Sequence, residues 1–134
     1  MDHYVLDTSA VMAVLRDEPQ RSVVERVLME AAADPNSVRI EVPFVVLMEV
    51  EYLMIKRGAS AQRVEETLDL VESWPITVAE STQLWRRRAA EVKGSNRLSV
   101  ADAWVASLAL LLNATVVHKD PEMDSIRGLR ALRL

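Results

Sequence analysis

Tyr4-Val5-Leu6-Asp7-Thr8-Ser9-Ala10 is the stretch that decides how this chain folds. Val5-Leu6, preceded by Tyr4, reads as a short buried strand, and the polar triplet Asp7-Thr8-Ser9 ends it. Thr8 or Ser9 is suited to cap the apolar segment Ala10 to Leu15 as a helix, because a short hydroxyl side chain can accept from a free first-turn amide.

Working outward, Pro19 opens a second helix with Val23, Val24, Val27, Leu28 and Ala31 on one face. Asp34-Pro35-Asn36-Ser37 is a turn. Val38, Ile40 and Val42 then alternate with Arg39 and Glu41, the two-residue period of a half-exposed strand. Pro43 starts a third helix running to about Arg57 and Gly58, and Ser60 caps a fourth with Val64, Leu68 and Val71 at core spacing. Trp74 to Val78 is expected to be another strand. Ser81 or Thr82 begins a fifth helix through Val92, and Lys93-Gly94-Ser95-Asn96-Arg97 is a polar loop. Ser99 caps a sixth helix ending near Asn113. Ala114 to His118 is an apolar, β-branched strand, and Ala131 to Leu134 forms a last short one. Strands separated by helices imply a central, mostly parallel sheet covered on both faces. The expected architecture is a three-layer α/β/α fold, one domain spanning residues 1–134.

Composition narrows the class. Of 134 residues, 50% are hydrophobic and 27% charged, which excludes a disordered chain. A net charge of -4 supplies no general basic footprint for nucleic acid, although bound cations can reverse the sign of a local field. The absence of cysteine removes thiolate zinc sites, disulfide frameworks and cysteine nucleophiles. Met1-Asp2-His3-Tyr4 lacks the basic and apolar regions of a signal peptide. The longest apolar run, Ala103 to Leu112, is roughly half the length needed to cross a bilayer. The expectation is a soluble, cytoplasmic protein without a membrane partner.

The informative residues are acids in apolar surroundings. Asp7 follows the first strand, and Glu49 lies inside Phe44-Val45-Val46-Leu47-Met48-Glu49-Val50. Asp102 is the only charged residue between Arg97 and Lys119, and Asp120 follows Thr115-Val116-Val117, with Glu122 and Asp124 close behind. Asp7 and Asp120 both sit just past the carboxyl ends of strands, the edge where open α/β sheets bind ligands. Two like charges 4 Å apart repel by about 4 kcal/mol at an effective dielectric of about 20, so clustered carboxylates need protons or cations. All-oxygen donors suit hard ions such as Mg²⁺ and Mn²⁺, which promote in-line phosphoryl displacement by water.

Each acid also has a plain structural use. Asp7 is a reasonable helix cap, Glu49 could pair with a distant arginine, and Ser99-Val100-Ala101-Asp102 is close to a capping box. Asp120-Pro121-Glu122 is an ordinary turn sequence. The joint pattern, rather than any one acid, carries the reading. His3 and His118 are single histidines of the kind usually found in a core or on a surface. Arg86, Arg87 and Arg88 fan around a helix as solvated surface, with phosphate holding as the other use. Trp85 and Trp104 are expected in the core rather than as base-stacking platforms.

With these motifs in hand, the sequence resembles the PIN domain family, and within it the VapC-type toxin ribonucleases of type II toxin–antitoxin pairs. Tyr4-Val5-Leu6-Asp7-Thr8-Ser9-Ala10 is similar to the family's opening strand with its first metal-site aspartate. Val46-Leu47-Met48-Glu49-Val50 is similar to its helical glutamate, Leu98-Ser99-Val100-Ala101-Asp102-Ala103 to its third signature, and Asp120-Pro121-Glu122-Met123 to its fourth. The resemblance implies Asp7, Glu49, Asp102 and Asp120 as a catalytic acidic quartet around Mg²⁺ or Mn²⁺. Thr8 or Ser9 would hydrogen-bond the first aspartate, and Glu122 would support the site or a second ion. It further implies endonucleolytic cleavage of RNA by metal-activated water, a homodimer, and a cognate VapB-type antitoxin. Two positions depart: His118 stands where members often carry threonine or serine, and Met123 where phenylalanine is common.

Two other classes compete. A noncatalytic PIN-like module that binds RNA or protein has no evident need for four acids. A phosphoacceptor receiver would want clustered acids after the first strand, and an aspartate-nucleophile phosphatase a second acid at the position of Ser9.

Overall fold

Val5 and Leu6 are fully buried in β1 (Asp2–Leu6), the middle strand of a five-stranded sheet. The computed structural model describes residues 1–134. After β1 come α1 (Thr8–Leu15), α2 (Arg21–Ala33), β2 (Val38–Pro43), α3 (Phe44–Lys56), α4 (Ala61–Glu72) and β3 (Thr77–Ala79). Then follow α5 (Gln83–Ser95), α6 (Val100–Leu112), β4 (Thr115–His118), a 3-10 turn (Pro121–Ser125) and β5 (Arg130–Arg133). The sheet order is β3-β2-β1-β4-β5 and every pairing is parallel, with Val5 opposite Glu41 and Leu6 opposite Val117. Parallel neighbours require crossover connections, and the helices supply them, covering the sheet on both faces. The expected three-layer α/β/α fold is therefore the observed one.

Local chemistry sets the helix ends. Ser60, Thr82 and Ser99 accept from the amides of Arg63, Trp85 and Asp102 at 3.2, 3.2 and 3.1 Å, each satisfying a first-turn donor. At the other end, α1, α3 and α6 stop on a left-handed residue: Asp17, Gly58 and Asn113, with φ of 56°, 85° and 52°. Each stop closes with the same reverse bond, Glu18 to Ala13, Ala59 to Met54 and Ala114 to Ala109, at 2.8–3.0 Å.

Several sequence expectations shift. Thr8 and Ser9 lie inside α1 rather than capping it; Asp7 is the residue before the helix. The second helix starts at Arg21, with Pro19 and Gln20 in a turn ahead of it. β3 begins only at Thr77, because Pro75 has no amide to give the ladder and Ile76 turns back onto the Trp74 carbonyl at 2.7 Å. β2 is not half exposed: Glu41 is 6% exposed, held by Arg39 Nε at 3.0 Å with His3 Nε2 at 3.5 Å. The fifth helix runs through Gly94 to Ser95, and the Asn96 side-chain Nδ2 donates back to the Val92 carbonyl at 2.9 Å.

The aromatic residues lock α3, α5 and α6 together. Phe44, Trp85 and Trp104 meet edge-on with centroids 4.9–5.6 Å apart. The Trp85 indole N–H donates to the Trp104 carbonyl at 2.9 Å and to Ser107 Oγ at 3.0 Å, so its one buried donor is satisfied. Trp85 is buried, as the sequence suggests, while Trp104 keeps a partly exposed edge. α3 also touches α1, which places it between the helices that follow β1 and precede β4. No helix is long and apolar enough to cross a membrane.

Candidate active site

The chain leaves β1 for β2 on one side, and β4 lies on the other side of β1. The carboxyl ends of β1 and β4 therefore flank the point where the connections diverge, and a crevice opens there. Asp7 is anchored in it by its own backbone. Its amide donates to the Val117 carbonyl at 3.1 Å, and its carbonyl accepts from Ala10 and Val11 at the start of α1. Its side chain makes no capping bond to α1 and is free to face the crevice. Ser9 Oγ donates to Asp7 Oδ2 at 3.0 Å and accepts from the Lys119 amide at 3.1 Å. One hydroxyl thus ties the end of β1 to the end of β4.

The other acids arrive from three further elements. Glu49, on α3, accepts from Thr8 Oγ1 at 2.6 Å; its partner is this hydroxyl, not an arginine. Asp102 sits in the first turn of α6, one turn past the Ser99 cap. Asp120 follows β4 and accepts from the Glu122 amide at 2.9 Å, capping the 3-10 turn. Asp7, Glu49, Asp102 and Asp120 line one cleft of about 410 Å³ with Thr8, Ser9, Met12, Arg16, Glu18, Leu53 and Lys119.

The electrostatics register the crowding. Burial raises the Asp7 carboxyl above its ordinary value and the Glu49 charge adds to this, against the Ser9 hydroxyl and His118. Asp102 is pushed up to about 7, first by burial, then by the Asp7 charge and the Asp120 carboxyl, with the Ser99 hydroxyl opposing. The Lys119 ammonium does not relieve this, because it is paired with Glu18. The donor set is all oxygen and carries excess negative charge, the chemistry that a hard divalent cation fits. No three of the acids form a ready-made ligand group, so holding an ion requires them to draw together.

Other candidates lie elsewhere. Glu122 is exposed on the 3-10 turn, outside the cleft lining; its contact with the site is through its amide. His118 is fully buried at the end of β4, with Nε2 3.2 Å from Asp124 Oδ1 but without the alignment of a hydrogen bond. Met123 is buried in the core. Arg88 pairs with Glu91 at 3.0 Å, and Arg86 borders Trp104 away from the acids. Sequence reasoning missed Arg16, Glu18 and Lys119 in the cleft; Lys119 beside Asp120 was the only available hint.

Comparison with known proteins agrees with the fold. The family model for the PIN domain matches residues 4–129. Among solved structures, the VapBC2 complex of Rickettsia felis bound to a promoter DNA fragment contains a chain with a TM-score of 0.77. It is 18% identical, with 98% of each chain covered. The DNA-bound VapBC of Salmonella typhimurium gives 0.75 at 20% identity, covering 99% of this chain and 98% of that one. VapC20 of Mycobacterium tuberculosis, a toxin cleaving the sarcin-ricin loop, gives 0.67 at 17% identity, covering 95% and 98%. No curated protein matches the chain.

Proposed function

The chain belongs to the PIN domain family, and from that premise we propose that it is a Mg²⁺- or Mn²⁺-dependent endoribonuclease, the toxin of a toxin–antitoxin pair. The observation that carries the reading is the convergence of Asp7, Glu49, Asp102 and Asp120 on one cleft at the switch point of the sheet. The solved structures of like fold, a VapBC complex and a VapC named as a sarcin-ricin loop cleaving toxin, support it.

A hard divalent ion in this cleft would activate water and stabilise charge on the oxygens of an in-line phosphoryl displacement. The four carboxylates would hold it, and the chain's own residues prepare them. Ser9 fixes one oxygen of Asp7, and Thr8 fixes one oxygen of Glu49, so these two acids would be partly oriented as the four draw together around the ion. Asp102, pushed up to about 7 by burial and by the charges of Asp7 and Asp120, would give up its proton more readily with a cation offsetting those charges. The Lys119–Glu18 pair closes one wall and keeps an ammonium out of the ion's place.

The same reading gives the partners: an RNA substrate, a VapB-type antitoxin and a second copy of this chain in a homodimer, all in the cytoplasm. The resemblance to structures of VapBC complexes supports the antitoxin. The test is incubation of the purified protein with total cellular RNA and Mn²⁺. Discrete fragments are expected, with none in excess EDTA or with Asp7→Asn of unchanged circular dichroism. Equal cleavage in EDTA would refute the metal mechanism.

A further inference from the structure

A second groove of about 440 Å³ adjoins the acidic cleft, sharing Met12, Arg16 and Leu53 with it. Arg16, Arg57 and Arg63 line it beside an apolar surface that includes buried Met12 and exposed Leu70. None of the three arginines has a carboxylate within ion-pair distance, because the nearby acids are committed elsewhere: Asp17 to Arg21 and Glu18 to Lys119. Arg16 and Arg57 close α1 and α3, so each faces the negative end of a helix worth roughly half a charge. Three guanidiniums against two such ends leave a surplus of about two positive charges.

We propose that this groove seats the phosphate backbone of single-stranded RNA on its way out of the acidic cleft. The inference rests on the ribonuclease reading and extends it to the substrate path. A strand crossing four carboxylates on a protein of net charge -4 needs local compensation for its flanking phosphates. Arg16 faces both cavities, so the compensation begins at the cleft wall and continues through Arg57 and Arg63. Guanidinium forks match phosphate oxygens in pairs. The groove offers no aromatic platform, so it binds through phosphates and tolerates any base sequence.

The test is fluorescence anisotropy of a labelled single-stranded RNA 12-mer in EDTA, on an Asp7→Asn background. Removing Arg57 and Arg63 together (R57Q/R63Q) should weaken binding about tenfold at low salt. It should also flatten the slope of log K against log salt by about 1.4, two phosphate contacts' worth. The pair R26Q/R127Q, an equal charge change on the exposed surface away from the groove, should leave the slope nearly unchanged. Unchanged RNA binding by R57Q/R63Q, or an equal loss in R26Q/R127Q, overturns the proposal. So does loss of polyglutamate binding in R57Q/R63Q with RNA binding intact, which marks a protein-docking groove. Because binding is read without cleavage, arginine-dependent binding by a protein that cuts no RNA would sink the nuclease reading and leave the groove standing.

Discussion

Thr8 donates its hydroxyl to Oε1 of Glu49 at 2.6 Å, joining the first turn of α1 to α3 across 41 residues of sequence. With Ser9 holding Asp7, two adjacent side chains orient two of the four cleft acids. Thr8→Val keeps the shape and removes the donor. It should lower Mn²⁺ affinity about 10- to 100-fold by isothermal calorimetry, while stability changes by about 1 kcal/mol or less. Unchanged affinity would show that Glu49 needs no positioning.

Asp102 should be expendable for folding and essential for cleavage. Asp102→Asn removes one repelling charge, so in EDTA near pH 8 it should melt above wild type. RNA cleavage with Mn²⁺ should fall about 10²- to 10³-fold. Paired melting and cleavage assays check both. A variant both less stable and fully active would contradict the arrangement.

The pH dependence of stability follows from the same group. Asp102 holds its proton up to about 7 in the folded chain, against an ordinary value of 3.8. The native state therefore binds more protons than the unfolded state between those values, and stability falls as pH rises through that window. Asp7 shifts in the same direction. After solvent screening, the Asp102 contribution is of order 1 kcal/mol. Melts in EDTA from pH 4.5 to 8 should show the decline, and saturating Mn²⁺ should remove it. Wild type and Asp102→Asn giving parallel curves would count against the coupling.

Trp85 supports the site from a distance by clamping α6, which carries Asp102, to α5. Trp85→Ala empties a buried aromatic site and removes the indole donor to Ser107 Oγ, and should cost about 3–5 kcal/mol in chemical denaturation. A loss near 1 kcal/mol would mean the cluster collapses to fill the gap.

What the sequence displayed, and what it hid, has a physical pattern. The alternation of apolar runs with Asp7, Asp102 and Asp120 was legible because burial and strand-end position act locally along the chain. The caps Ser60, Thr82 and Ser99 were legible for the same reason. Glu41 was misread because a two-residue period cannot tell a solvated face from one covered by the next layer. The strand at Trp74 was overextended because the β-branched and aromatic signal outweighed Pro75, whose missing amide breaks the ladder. Thr8 and Ser9 looked like caps and do not cap; Ser9 holds Asp7, the local partner that the family resemblance implied, while Thr8 serves Glu49, which only the fold brings near. The Lys119–Glu18 pair, 101 positions apart, left no local trace.

The most direct measurement is the chemistry of the RNA ends after cleavage, read by mass spectrometry with Mn²⁺, with EDTA and with Asp102→Asn. Water delivered by a cation-loaded acidic quartet should leave 5′-phosphate and 3′-hydroxyl termini, and only in the wild-type reaction with Mn²⁺. Fragments that persist in EDTA, or that end in 2′,3′-cyclic phosphates, would mean that the four carboxylates do not run this reaction.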